Sequence, residues 1–197
     1  MGRIISGARE LTTAQLEERA ARAASGLKSL GVKPGDIVAL YLRNDLAFFE
    51  ASAACGLVGA YPTPVNWHYT TDEARYLFEN SGAKVIVIHA DLLGPIREAL
   101  PPGVPVLIVE TPPEISAAYG VAPAALPAGY PEWSSWLEGF APLTEPPEAA
   151  PGTIIYTSGT TGRPKGVRRA PPTPEQAAIT LRNICFIFGF DPANADA

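Results

Sequence analysis

Apolar residues early in the chain follow the spacing of an amphipathic helix. They recur at steps of three and four at Leu16, Ala20, Ala23, Leu27 and Leu30, which places them on one helix face. Thr12 and Gln15 have the T-x-x-Q spacing of a capping box, and Gly31 stands where the apolar pattern ends. The pattern predicts a helix that starts after Thr12 and stops at Gly31, followed by a turn over residues 33–36.

Further along, continuous apolar runs alternate with helical patterns. Predicted strands cover residues 37–42, 61–66, 84–89 and 105–109, and predicted helices between them cover residues 45–58, 71–80 and 91–100. Asn44 is the expected cap of the first of these helices, and Thr70 with Glu73 repeats the capping-box spacing before the second. Pro62 and Pro64 make the strand over 61–66 an edge strand or one that ends early. Alternating strands and helices predict an α/β fold whose largely parallel sheet is layered with helices.

Proline content divides the chain into three predicted segments. Twelve of the 21 prolines fall between residues 101 and 151. We therefore predict an α/β layer over residues 1–110, a proline-rich connecting excursion over 111–150, and a phosphate-loop unit with a following helix over 151–197. Within the excursion one helical piece is expected near residues 132–137. Its Trp133 and Trp136 are expected to anchor it to the core.

Composition and charge exclude several classes of protein. The 197 residues are 47% hydrophobic and 18% charged, which is typical of a globular protein. The net charge of −5 argues against nucleic-acid binding. No signal peptide or transmembrane segment is expected, because the longest apolar stretch, residues 46–61, is too short to span a bilayer.

The cysteines and histidines suggest no metal or catalytic centre. Cys55 and Cys185 lack metal or disulfide spacing, which favours a reducing compartment such as the cytoplasm and a core-filling role for both. His68 and His89 have no carboxylate or nucleophile at a telling spacing, so we expect each to be a surface or strand-end residue.

The candidate chemistry lies in residues 153–167. An apolar run enters a segment of glycines and hydroxyl residues that also carries Arg163 and Lys165, and the chain returns at Val167. Glycine allows backbone N–H groups to approach an anion, hydroxyls donate to phosphate oxygens, and lysine supplies a mobile positive charge. The predicted phosphate-binding residues are Thr157, Ser158, Gly159, Thr160, Thr161, Gly162, Lys165 and Gly166.

This segment is not a Walker loop. That motif needs a Gly-Lys-Ser/Thr sequence that opens a helix, whereas here Lys165 follows Pro164 and precedes Gly166. We therefore predict a phosphate loop held between two strands. The alternative is a glycine- and hydroxyl-rich surface loop that binds nothing.

The string YTSGTTGRPKGV, residues 156–167, resembles the signature of the AMP-forming adenylate ligases. This family includes acyl-CoA synthetases, firefly luciferase and the adenylation domains of peptide synthetases. Looser similarity extends over residues 30–39, 59–66 and 81–85, whereas residues 100–151 match nothing distinctive. The resemblance implies the N-terminal part of the large domain of an acyl-CoA synthetase.

The resemblance also implies a reaction in two halves. A carboxylate attacks the α-phosphorus of ATP with Mg²⁺ bound, and the acyl-adenylate then passes to the thiol of coenzyme A. By resemblance Lys165 is the catalytic cation and Thr157 lies nearest the metal. The family often has a Ser-His or Thr-His pair after the second strand, but this chain has Arg169-Ala170-Pro171, which puts the acyl-pocket residue there in doubt.

Several working parts of the family are absent from these 197 residues. They are the adenine-binding aromatic segment with its glutamate, the aspartate that holds the ribose, and the late lysine. We therefore expect the chain alone to be inactive in adenylation. A stand-alone, non-catalytic nucleotide- or phosphate-binding module is the alternative function. The carboxylic acid, the choice between coenzyme A and a carrier protein, and the oligomeric state stay open at this point.

Overall fold

The structure is a computed structural model that describes residues 2–147, 152–157 and 163–168, with 172–173, 175–176, 178–180 and 182–183. Its elements in order are β1 (Arg3–Ser6), β2 (Arg9–Thr12), α1 (Thr13–Ser29), β3 (Ile37–Tyr41), α2 (Leu46–Leu57), β4 (Tyr61–Pro64), α3 (Thr71–Ser81), β5 (Val85–His89), α4 (Ala90–Ile96), β6 (Val106–Val109), α5 (Pro113–Tyr119), α6 (Trp133–Glu138), β7 (Ile155–Thr157) and β8 (Lys165–Val167).

A four-stranded sheet forms the centre of the fold. Its order is β4-β3-β5-β6 and every neighbouring pair is parallel, which confirms the predicted α/β class. Side chains alternate across it: Val85 and Val87 of β5 face the core under α1, α2 and α6, whereas Ile86 and Ile88 face the core under α3 and α4. Because both faces are covered, the strands are apolar on both sides.

The two edges of this sheet are closed in different ways. At one edge, the N–H groups of Tyr61 and Val65 donate to β3-side carbonyls at 2.8 and 2.9 Å. Between them, Pro62 and Pro64 occupy the positions whose backbone N–H groups would point away from β3. Proline has no N–H group, so this edge offers no donor at either position. At the other edge, the N–H of Ile108 in β6 donates to the carbonyl of Pro131 at 2.9 Å. The predicted edge position of β4 is confirmed.

Local capping signals were reliable at two helix starts. Thr12 with Gln15 and Thr70 with Glu73 form complete capping boxes. Thr173 and Gln176 also hydrogen-bond each other in both directions, at 2.9 and 3.3 Å.

The predicted Asn44 cap is wrong. The N-cap of α2 is Asp45, and its side chain makes no capping hydrogen bond. It pairs instead with Arg9 and lies beside His89.

Two elements were not predicted. The antiparallel β1–β2 hairpin has strands of four residues each, and α5 spans only seven residues, of which the first is a proline that follows another proline. Both are too short to give a periodic signal above that of a loop.

The excursion is anchored to the core as predicted for its tryptophans. Trp133 is 1% exposed. A Cβ built on Gly26 of α1 would lie 2.5 Å from the Trp136 ring, so the two surfaces are in close contact. Of the helices in the described part of the chain, none has the length and apolarity needed to cross a bilayer.

Candidate functional site: the phosphate loop

The candidate phosphate loop, residues 157–166, begins and ends on an antiparallel ribbon formed by β7 and β8. Thr157 is the register partner of Lys165, and Tyr156 is the partner of Gly166. The predicted strands on either side of the loop are thus confirmed, and Thr157 and Lys165 lie opposite each other with exposed side chains. The intervening Ser158, Gly159, Thr160, Thr161 and Gly162 lie outside the described residues.

Gly166 is required by a close contact rather than by a turn. A Cβ at this position would lie 2.8 Å from two atoms of the Tyr156 ring and 3.1 Å from Cγ2 of Ile154. Carbon atoms in contact are normally about 3.5–4.0 Å apart. The Tyr156 ring therefore lies across the bare backbone of Gly166.

Side chains from both sides fasten the ribbon to the parallel sheet and α3. The Tyr156 hydroxyl donates to Oδ1 of Asn80 at 3.0 Å, and the Tyr76 hydroxyl donates to the carbonyl of Pro164 at 3.2 Å. Directly after β8, the Arg168 guanidinium donates to the carbonyl of Gly35 and lies 4.5 Å from the ring centre of Tyr61. Three side-chain hydrogen bonds therefore hold the ribbon in place, and within the described residues it shares no backbone ladder with the four-stranded sheet.

The cations of the loop are available to an anion. Arg163 and Lys165 are exposed, and no described carboxylate forms a salt bridge with either of them. The Arg163 guanidinium lies 5.1 Å from the ring centre of Tyr76. An anion between Thr157 and Lys165 would meet a hydroxyl donor and a positive charge without competing carboxylates.

The residues present fit a magnesium ion that is held mainly by its nucleotide. No group of three or more His, Cys, Asp or Glu side chains suited to a metal occurs in the described ranges. Mg²⁺ commonly keeps several waters and binds phosphate oxygens, with few protein ligands. The Thr157 hydroxyl could supply one such neutral ligand, in keeping with its predicted place near the metal.

A wide cleft lies away from the phosphate loop. Its volume is about 1010 Å³, and its walls include Arg9, Asp45, Glu50 and Trp133. The buried charges of this cleft are paired: Glu50 accepts from Arg19 at 2.6 Å and from Nε1 of Trp133 at 2.6 Å. These contacts join α1, α2 and α6, so we assign the group to stability. We take the loop as the candidate site, because its cations form no salt bridge with any carboxylate in the described part of the chain.

A buried Asp–His pair lies beside this cleft, and sequence reasoning missed it. Nε2 of His89 lies 3.4 Å from Oδ2 of Asp45. The N–H of Arg43 donates to Nδ1 of His89 at 3.1 Å, so the ring proton resides on Nε2, facing Asp45. Burial alone would raise the pKa of Asp45, but hydrogen bonds from His89 and the Leu46 N–H, together with Arg9, hold it at about 2.

The side chain of Arg43 makes further contacts next to the Asp45–His89 pair. Its guanidinium pairs with Asp91 at 2.5 Å and lies 4.9 Å from the ring centre of Trp67 and 4.8 Å from that of Tyr119. His89 was expected at a surface or a strand end. It ends β5, yet it is fully buried. The signal for this cluster was its position, because Arg43, Asp45, His89 and Asp91 all end or follow adjacent parallel strands, whose carboxyl ends meet at one edge.

Cys55 behaves as predicted for a core residue. It is buried, and burial raises the pKa of its thiol to about 12. A thiol protonated at neutral pH is a poor nucleophile. Cys185 lies outside the described residues.

The chain belongs to the AMP-binding enzyme family, whose model matches residues 3–170. It is 38% identical over 171 residues to a 3-oxocholest-4-en-26-oate–CoA ligase of Rhodococcus rhodochrous, an alignment that covers 83% of this chain and 29% of the relative. It is 32% identical over 164 residues to the fatty acid–[acyl-carrier-protein] ligase ScoC of Streptomyces coeruleorubidus, again covering 83% of this chain and 29% of the relative.

A solved structure supports the fold. The anthranilate CoA ligase AuaEII in complex with anthranoyl-AMP superposes with a TM-score of 0.68 at 23% identity, covering 84% of this chain and 31% of that one. The chain thus spans less than a third of the length of these relatives.

Proposed function

We propose that this chain supplies the ATP phosphate loop of an AMP-forming acid–thiol ligase, an acyl-CoA synthetase. The observation that carries the proposal is the register of the β7–β8 ribbon, which places Thr157 opposite Lys165 in a chain of the AMP-binding family. In this reaction a carboxylate oxygen attacks the α-phosphorus of ATP. The bond between the α-phosphorus and the oxygen that bridges it to the β-phosphate breaks, and pyrophosphate leaves.

The proposed role of the loop is electrostatic. Negative charge builds up on the leaving pyrophosphate, and preorganised donors aimed at developing charge are an effective form of catalysis. Lys165 would neutralise this charge, and the Thr157 hydroxyl would contact Mg²⁺, which supplies further positive charge when bound. The hydroxyl and glycine residues between them would donate to phosphate oxygens, as the sequence predicts.

The proposed partners are a small carboxylic acid and coenzyme A. One relative is named for coenzyme A and another for an acyl-carrier protein, so the thiol acceptor has to be tested. The names of both describe lipid-like acids, which supports a role in fatty-acid metabolism. We propose the cytoplasm as the compartment, supported by the free and buried Cys55.

Acid-dependent exchange of labelled pyrophosphate into ATP tests the proposal. The protein encoded by the whole reading frame is assayed over a panel of fatty, steroid and aromatic acids, with hydroxamate trapping of the acyl-adenylate. At least one acid should support exchange, and coenzyme A should then be consumed. Binding of pyrophosphate without exchange for any acid would overturn the ligase proposal and favour the non-catalytic module.

A further inference from the structure

Both ends of the phosphate loop are held by one face of α3. The entering end is fixed through Tyr156, whose hydroxyl donates to Asn80, and the returning end through the carbonyl of Pro164, which accepts from Tyr76. Tyr76 and Asn80 are four residues apart, so their side chains lie on the same face, separated by about 6 Å along the helix axis.

The helix that carries these two side chains is itself firmly placed. A complete capping box at Thr70 fixes its start, and Gly82 ends it in the left-handed conformation. Leu77 and Phe78 are buried in the core against the central sheet. Side chains on such a supported element hold their position better than side chains on a loop.

The ribbon is shaped to meet this helix. The absence of a side chain at Gly166 lets the Tyr156 ring lie across the ribbon, and that ring carries the hydroxyl to Asn80. Burial, followed by the neighbouring Tyr76, raises the pKa of Tyr156, so the phenol is protonated and donates at neutral pH. On the other side, the Tyr76 ring also stacks with Arg163, at 5.1 Å.

We propose that Tyr76 and Asn80 are positioning residues for phosphate binding, because they hold Tyr156 and Pro164, the immediate neighbours of Thr157 and Lys165. The inference rests on the proposed function and deepens it. Both side chains belong to α3 and contact residues that flank Thr157 and Lys165. Their effect passes through the spacing between the hydroxyl of Thr157 and the ammonium group of Lys165, to which phosphate binding is sensitive.

The test compares three variants, Asn80→Ala, Tyr156→Phe and Tyr76→Phe, in the protein encoded by the whole reading frame. A displacement of about 1 Å in a catalytic group can lower a rate about 100-fold, so we expect kcat of exchange to fall about 10- to 100-fold. The KM for the acid and the melting temperature should stay near the wild-type values. Glu79→Gln, an exposed neighbour of Asn80 on the same helix, is the matched control and should keep wild-type kcat.

A double-mutant cycle separates positioning from general damage. Asn80→Ala combined with Tyr156→Phe should be no slower than either single variant, because both remove the same hydrogen bond. Additive losses, or losses that track the melting temperature, would overturn the inference, as would wild-type kcat in all three variants.

Pyrophosphate binding by the same proteins, measured by calorimetry, judges the inference even if no acid supports exchange. A 10-fold or greater weakening of pyrophosphate binding in Asn80→Ala supports the positioning role, and unchanged binding refutes it. A wild-type protein that binds pyrophosphate but exchanges with no acid refutes only the ligase proposal.

Discussion

Lys165 combines exposure with an assigned electrostatic role, so its removal should separate activity from stability. Substitution of an exposed side chain typically changes the free energy of unfolding by no more than about 0.5 kcal/mol. Loss of one donor to developing charge lowers kcat about 100-fold or more. We expect Lys165→Ala in the protein of the whole reading frame to show both effects in thermal melts and exchange assays. Lys84→Ala, at another exposed lysine, is the control, and equal kcat in the two variants would refute the role of Lys165.

The buried carboxylate of Asp45 should make stability fall in acid. Its pKa is about 2 in the folded chain, below the ordinary value of 3.8. A lowered folded pKa contributes stability that is present above about pH 4 and is lost as the pH falls toward 2. This contribution amounts to about 2 kcal/mol.

The measurement is the free energy of unfolding of the 197-residue chain from pH 6 to pH 2. Asp45→Asn should lower it at pH 6 and flatten its decline between about pH 4 and pH 2. Asp72→Asn, at a carboxylate that is 91% exposed, should follow the wild-type curve closely. An Asp45→Asn curve parallel to that of the wild type would contradict the assignment.

Among single residues, the sequence predicted those whose role depends on near neighbours in the chain. Lys165 and Thr157 belong to one continuous motif, so their joint placement needed only the two flanking strands. Asp45 and His89 are 44 positions apart and meet only because β3 and β5 are neighbours. No spacing rule along the chain encodes that neighbourhood, so the Asp–His pair was missed.

Among the elements, Gly166 gives a direct test of how the ribbon is built. In Gly166→Ala the new methyl group would collide with the Tyr156 ring, which lies 2.8 Å from the Cβ position. The ring must move, and its bond to Asn80 is lost. Overpacking of this kind costs about 1–3 kcal/mol, so amide exchange in β7 and β8 should accelerate about 10-fold or more.

Gly94→Ala is the control for this change, because nothing lies within 4 Å of a Cβ at that helical position. It should leave exchange in the ribbon unchanged and stabilise α4 slightly. Ribbon amides that exchange equally slowly in both variants would show that the ring accommodates the methyl group without moving.

Elements were predictable where their signals were strong and short-range. The capping boxes at Thr12 and Thr70 set two helix starts correctly, because the hydrogen bonds involved span three residues. The cap of α2 was mispredicted by one residue: the N-cap is Asp45, whose side chain pairs with the distant Arg9 and makes no capping hydrogen bond. Helix α5 and the β1–β2 hairpin were missed because they depend on packing against the rest of the chain.

For the whole molecule, alternation of strands and helices predicted a parallel sheet but not its strand order. The order β4-β3-β5-β6 places the second predicted strand outside the first. The two prolines of β4 predicted an edge, and the structure confirms it. Which strand β3 pairs with on its other side depends on the packing of whole helices, a long-range property that local patterns do not contain.

The prolines of β4 should protect the whole molecule from association. Replacing Pro62 and Pro64 with valine would restore outward N–H groups on an edge strand, and such edges recruit other strands. We expect the 197-residue double variant to scatter more light during refolding than the wild type. Pro123→Val, in an exposed loop, should not. Equal scattering from all three proteins would show that the edge is covered by other means.

The closed edges also matter while the chain is being synthesised. The four strands of the sheet lie within residues 37–109, so on a ribosome the sheet is complete before the β7–β8 ribbon has been made. Incomplete proteins aggregate through unpaired strand edges and exposed apolar surface. Here one edge offers no outward donors at its two prolines, and residues 131–132 pair with Ile108 at the other. The nascent sheet can therefore remain folded, without recruiting its neighbours, while the rest of the polypeptide is made.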